Sequence, residues 1–138
     1  MKFLCSRHTQ AIQSNPVKAG LYWQKLIDSG EHNLKQGNYY KAHQCLGGAS
    51  EVASLMLKSQ VLRWNKYSCI DMLVIACRKL QQTLSLLGYP TEATALEEEL
   101  ILQLENLSTN HQINVGLRTD AKTAIEYSEL YEERVLVH

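Results

Sequence analysis

Apolar and polar positions repeat along this chain with a helical period over most of its length. Ser14-Asn15-Pro16 predicts a helix start, with Asn15 as N-cap and Pro16 at the first helical position, where a missing N–H breaks no bond. Trp23, Leu26, Ile27, Gly30 and Leu34 then form an apolar stripe, and Gly37-Asn38 ends the helix near Gln36. A second helix from Tyr39 carries Ala42, Cys45, Leu46, Ala49, Val52, Ala53 and Met56 on one face. Gly47-Gly48 inside it costs about 1 kcal/mol per glycine against alanine, so either a neighbour approaches closely there or the helix kinks. Ile70, Leu73, Cys77, Leu80, Leu84 and Leu87 make a heptad-like seam for a third helix over about 63–87, closed by Gly88. Pro90-Thr91-Glu92 opens a fourth, with Ala93, Leu96, Leu100, Leu104 and Leu107 inside and Glu92, Glu97, Glu98, Glu99 and Glu105 outside. After a loop at Ser108-Thr109-Asn110, a fifth helix over about 114–135 presents Ala121, Ala124, Ile125, Ser128, Tyr131 and Val135. A short helical turn is allowed before Pro16. The pattern predicts one all-α domain over 1–138, with about five helices and no strand.

Composition narrows the class. Of 138 residues, 21 are Leu against 14 Val plus Ile, with 7 Gly and 2 Pro, as expected of an all-helical chain. A hydrophobic share of 45% argues against disorder. No apolar run approaches the roughly 20 residues of a membrane span, and the N-terminal stretch turns polar too early for a signal peptide. Cys5, Cys45, Cys69 and Cys77 show no C-x-x-C and no zinc-finger spacing, and Cys45 and Cys77 read as small buried hydrophobes in a reduced cytoplasm. The five histidines include no H-E-x-x-H, so no metal, cofactor or nucleophilic-enzyme site is predicted.

The zero net charge hides a split. Residues 1–90 carry 11 Lys/Arg and 4 Asp/Glu, whereas residues 91–138 carry 3 and 10. The halves attract each other across solvated helix faces, or the basic half steers an acidic partner. Basic residues do not cluster with aromatics, so nucleic acid is not an expected partner.

An internal repeat organises the chain. Gly37-Asn38-Tyr39-Tyr40-Lys41-Ala42 and Gly88-Tyr89-Pro90-Thr91-Glu92-Ala93 share the frame G-x-x-x-x-A at an offset of 51 residues. Glycine supplies a left-handed C-cap, and alanine lets the following helix pack closely. Leu34 to Ala42, followed by Leu46 and Ala49 and preceded by Gly30, resembles the turn and second helix of the tetratricopeptide repeat (TPR) family. Leu80, Leu87, Gly88, Ala93, Leu96 and Leu100 match in a second unit, so the resemblance covers about 20–107. The offset exceeds the family's repeat of about 34 residues, which requires longer helices or an extended connection.

The resemblance implies antiparallel helix pairs over about 16–60 and 63–107, arranged as a short right-handed helical-repeat array or bundle. It implies a non-enzymatic adaptor or chaperone-like module that binds a peptide or protein segment in a helical groove. Groove positions would be Gln24, Ile27, Glu31, Leu34 and Lys35 in the first unit, and Ile75, Arg78, Lys79, Gln82 and Ser85 in the second. Of these, Gln24, Glu31, Lys35, Arg78, Lys79 and Gln82 are the candidate peptide-binding residues. Ile27 and Glu31 stand where carboxylate-clamp members place Lys and Asn, so no clamp of that kind is expected. Arg78 and Lys79 are candidates to hold an acidic group. The alternative is a structural homo-oligomer, with a homodimer as its simplest form.

Other residues keep two readings. Asp71 lies either on a narrow exposed strip or buried with a partner. Trp64 and Tyr67, one helical turn apart in the predicted third helix, are core packing or an aromatic ledge, and Trp23 is a core anchor. The apolar tail Val135-Leu136-Val137 docks on the body or on a second subunit.

Overall fold

Asn15 divides the first two helices. Its backbone N–H donates to Ala11 O, and its side-chain oxygen accepts from the Lys18 N–H at 3.3 Å. The predicted short turn is thus a helix of its own, α1 (Ser6–Ser14), and α2 (Pro16–Lys35) begins on proline as expected. The computed structural model describes residues 3–110 and 115–137, with Pro16 and 127–137 described by backbone alone. Further along lie α3 (Tyr39–Lys58), β1 (Arg63–Trp64), β2 (Tyr67–Ser68), α4 (Cys69–Leu86), α5 (Pro90–Thr109) and α6 (Val115–Val137). The fold is all-α, with six helices packed in adjacent pairs among the described residues rather than about five. Ser128, Tyr131 and the tail 135–137, predicted to be inward or docking positions, lie outside the described side chains.

Both repeat turns have the same hydrogen bonding. Gly37 N–H donates to Leu34 O and Asn38 N–H to Asn33 O; Gly88 N–H donates to Ser85 O and Tyr89 N–H to Leu84 O. These are Schellman motifs, with the glycines at φ 78° and 85°. The next helix starts at once, Ala42 N–H bonding Asn38 O and Ala93 N–H bonding Tyr89 O. The neighbouring Tyr40 hydroxyl raises the Tyr89 pKa. A third Schellman pattern closes α3, with Gln60 at φ 55° in the glycine position.

Residues 63–68 depart from the sequence reading. They form a two-stranded antiparallel hairpin, with Arg63 opposite Ser68 and Trp64 opposite Tyr67, and Asn65 takes φ 54° in its turn. The seam runs correctly through Ile70 to Leu84, but the helix starts only at Cys69. Ser68 sets that boundary: its Oγ accepts the Asp71 N–H at 3.0 Å. Trp64 is consequently no helical neighbour of Tyr67. It packs on Gly20, where a Cβ would stand 2.1 Å from the indole Cδ1. Tyr67 meets Trp23 edge-on, with ring centroids 5.3 Å apart. Asp71 is exposed in the first turn of α4, where a carboxylate complements the helix dipole.

One cluster of buried side chains runs through the helices, from Leu4 to Ala121. Small residues bring α2 and α3 together: a Cβ on Gly30 would lie 2.6 Å from Leu46 Cδ2. Gly48 receives Leu26 of α2, so α3 passes through Gly47-Gly48 without interruption, and close approach is the reason for the pair. The α4 helix is buried well beyond its predicted seam, at Cys69, Met72, Ala76 and Thr83 as well. It packs on α3, α5 and α6, so a single stripe is too narrow to serve its neighbours. Cys77 is buried as predicted, whereas Cys45 is half-buried with its sulfur 3.5 Å from Ser29 Oγ.

Candidate functional site

The α4 helix forms the floor of a cleft whose walls are α3 and α5. Leu73, Cys77, Leu80 and Leu84 line the bottom, and Leu96 and Leu100 continue it up the α5 side. Ser50, Glu51 and Ser54 stand on α3; Glu92, Ala95, Glu99 and Gln103 stand on α5. The volume is about 240 Å³. Gln103 Nε2 donates to Ser54 Oγ at 3.2 Å and ties the walls together. The local reason for the cleft is spacing. Ala95, Glu99 and Gln103 recur every four residues beside the apolar stripe of α5, and Ser50 and Ser54 do the same on α3.

Phe3 enters this cleft from the N-terminal segment. The backbone N–H groups of Phe3 and Leu4 donate to the two carboxylate oxygens of Glu51, the second at 3.0 Å. The Phe3 ring lies against Gly47 and meets His43 edge-on at 5.2 Å. Burial pushes the Cys77 thiol up to about 12, with Arg78 opposing the rise, so Cys77 acts as apolar floor rather than as a nucleophile.

None of the candidate peptide-binding residues lines this cleft; of the six, the structure brings Glu31 and Lys79 together, across α2 and α4. Gln24 is half-buried and donates to Asp28 Oδ1 at 2.9 Å. Ile27 is core, at 5% exposure. Glu31 pairs with Lys79 across the two helices at 2.5 Å. Arg78 turns towards α5, where it pairs with Glu97 and donates to Gln81 Oε1 at 3.0 Å. Consecutive residues project about 100° apart around a helix, and here the two cations engage opposite neighbours. Each already has a carboxylate of the chain itself. Lys35, Gln82 and Ser85 are exposed, and Leu34 and Ile75 half-buried.

Glu97, expected on the outer face of α5, is the exception among its glutamates. Its Oε2 accepts from Arg78 and from Gln81 Nε2 (2.6 Å), and its Oε1 is buried without a partner among the described residues. This pair joins the basic and acidic segments, so attraction between the halves is realised at Arg78–Glu97.

Sequence reasoning missed the cleft residues because Glu51, Glu99 and Gln103 match no motif. Their signal was the four-residue polar spacing alone. Among the described residues no three His, Cys, Asp or Glu side chains gather as for a metal ion, and no helix is long and apolar enough to cross a membrane. Compared with known proteins, the chain matches no family model, no curated protein and no solved structure.

Proposed function

We propose that the chain is a non-enzymatic protein–protein interaction module of TPR-like build, adaptor or chaperone-like in kind, which binds a segment of another polypeptide between α3 and α5. The observation that carries this reading is an apolar-floored cleft in which Glu51 already receives two consecutive backbone N–H groups. The TPR-like build is supported by the two equivalent turns and by the packing of α4 on α3, α5 and α6. Helices of 18 to 20 residues and the hairpin after α3 account for the long period. An acidic partner would have to displace Glu31 from Lys79 on the α2 side or Glu97 from Arg78 on the α5 side, which makes the cleft the better-supported site. Its volume is below the roughly 300–1,000 Å³ of small-molecule pockets and suits a few side chains of a peptide. Affinity should be modest, as for other small interfaces.

The test uses isotope-labelled full-length chain and peptides selected from a random display library. Amide shifts should map to Ser50, Ser54, Ala95 and Glu99, and Ala95→Trp should weaken binding by about tenfold or more, roughly 1.4 kcal/mol. Selection of no peptide, or shifts confined to the α2–α4 face, would overturn the assignment.

A structural homo-oligomer is the second reading, favoured by Val17 and Leu21, which are 67% and 61% exposed on successive turns of α2. A sedimentation mass that rises with concentration and falls back in Leu21→Lys would support it.

A further inference from the structure

The N-terminal segment is held in the cleft by two features that recognise a type of chain. Glu51 contacts main-chain N–H groups of Phe3 and Leu4, so it reads an exposed backbone rather than a particular side chain. Gly47 reads a ring. A Cβ there would lie 2.2 Å from Phe3 Cε1, so the missing side chain is what makes the slot. Cys5, which follows, has the extended φ of −75° and ψ of 164°. Among the described residues the lining of the cleft holds Glu51, Glu92 and Glu99 but no Lys or Arg.

We propose that Phe3-Leu4 is a resident, displaceable occupant of this cleft, and that it displays the chemistry of the partner. That partner is an extended segment that offers consecutive backbone N–H groups to Glu51, an aromatic ring to the slot at Gly47 and a basic side chain to Glu92 and Glu99. The basic element follows from charge complementarity with three carboxylates over an apolar floor. In the chain's own sequence Lys2 precedes Phe3, which gives the order Lys-Phe-Leu. Displacement takes few buried side chains with it: over residues 3–14 only Leu4 and Ile12 are buried. A tethered occupant competes at an effective concentration in the millimolar range, so the free chain is partly self-inhibited. This inference rests on the cleft being the binding site.

The probe is a synthetic peptide, Met-Lys-Phe-Leu-Ser, carrying a fluorophore at its C-terminus. Its affinity is measured by anisotropy for the full chain, for Phe3→Ala, and for Phe3→Ala combined with Gly47→Val. Removing the resident ring should tighten binding about tenfold or more, and filling the slot should abolish the gain. A probe with Lys replaced by Glu should bind Phe3→Ala more weakly, with the difference shrinking as salt is added. Melting curves establish that the variants fold, and amide exchange at Phe3 and Leu4 should accelerate in Glu51→Gln.

Equal binding by the full chain and Phe3→Ala would overturn the resident-occupant inference while leaving the cleft as a site. Equal binding by the Lys and Glu probes would overturn the basic partner. Failure of both the probe and every selected peptide to shift cleft amides would remove the functional reading itself. Dimerisation of the full chain that Phe3→Ala abolishes would show a second copy's segment in the slot, and would overturn the intrachain placement.

Discussion

At Gly30 and Gly20 the absence of one carbon decides a contact, and at Gly48 it eases a tight one, each with a different neighbour. Gly30 admits Leu46, Gly48 admits Leu26, and Gly20 admits Trp64. The small residue at 30 and the glycine pair in α3 were visible in the sequence, because glycine inside an apolar helix demands a reason. Gly20 was not, since its partner lies 44 positions away in a hairpin that periodicity read as helix. The buried thiols carry the residue-scale prediction. Desolvation holds Cys69 up to about 11 and Cys77 up to about 12, against 9.0 when unperturbed. The fold therefore retains these protons more tightly than the unfolded chain does. Their contribution to stability is complete below about pH 9 and is lost as pH rises through about 11 to 12. Urea midpoints should fall from about pH 8 to about pH 10.5, and Cys77→Ala should show a shallower fall over that range. An equal slope in the variant would contradict the assignment.

Among the elements, the two repeat turns and the start of α4 show how local chemistry sets boundaries. Gly37 and Gly88 have nothing within 4 Å of an added Cβ, so substitution meets no clash there. Their φ values of 78° and 85° still disfavour an L side chain, by about 1–2 kcal/mol. Gly37→Ala and Gly88→Ala should each destabilise by about 1 kcal/mol in urea melts. A neutral result at either position would mean that its turn is not held left-handed. Ser68→Ala should cost about 1 kcal/mol through loss of the N-cap, whereas no such loss would follow were residue 68 inside a helix. The Ser-x-x-Asp spacing at 68–71 was present in the sequence. It was overridden there by the apparent helical spacing of Trp64 and Tyr67, which two residues of a hairpin reproduce by coincidence.

For the molecule as a whole, two ion pairs tie distant segments with different strengths. Glu31–Lys79 is open, its side chains 41% and 30% exposed, and such pairs contribute about 0–1 kcal/mol. Glu97 is only 19% exposed, so Arg78→Ala leaves a partly buried carboxylate short of its cation, at about 1–3 kcal/mol. Urea melts of Lys79→Ala and Arg78→Ala should rank in that order. Added salt should shrink the Lys79→Ala effect far more than the Arg78→Ala effect. The reverse ranking would contradict the burial argument.

Helical class, four of the main apolar stripes and both glycine turns were determined by the sequence alone. Their physics is local: propensity, a 3.6-residue period and a left-handed C-cap each act within one helical turn or a few. Which way Arg78 and Lys79 reach, how much of α4 is buried, and where Trp64 and Phe3 lodge were decided only by tertiary structure. Each depends on a neighbour far away in sequence. The cleft belongs to this second group, because α3, α4 and α5 each supply one of its sides and no single helix records its presence.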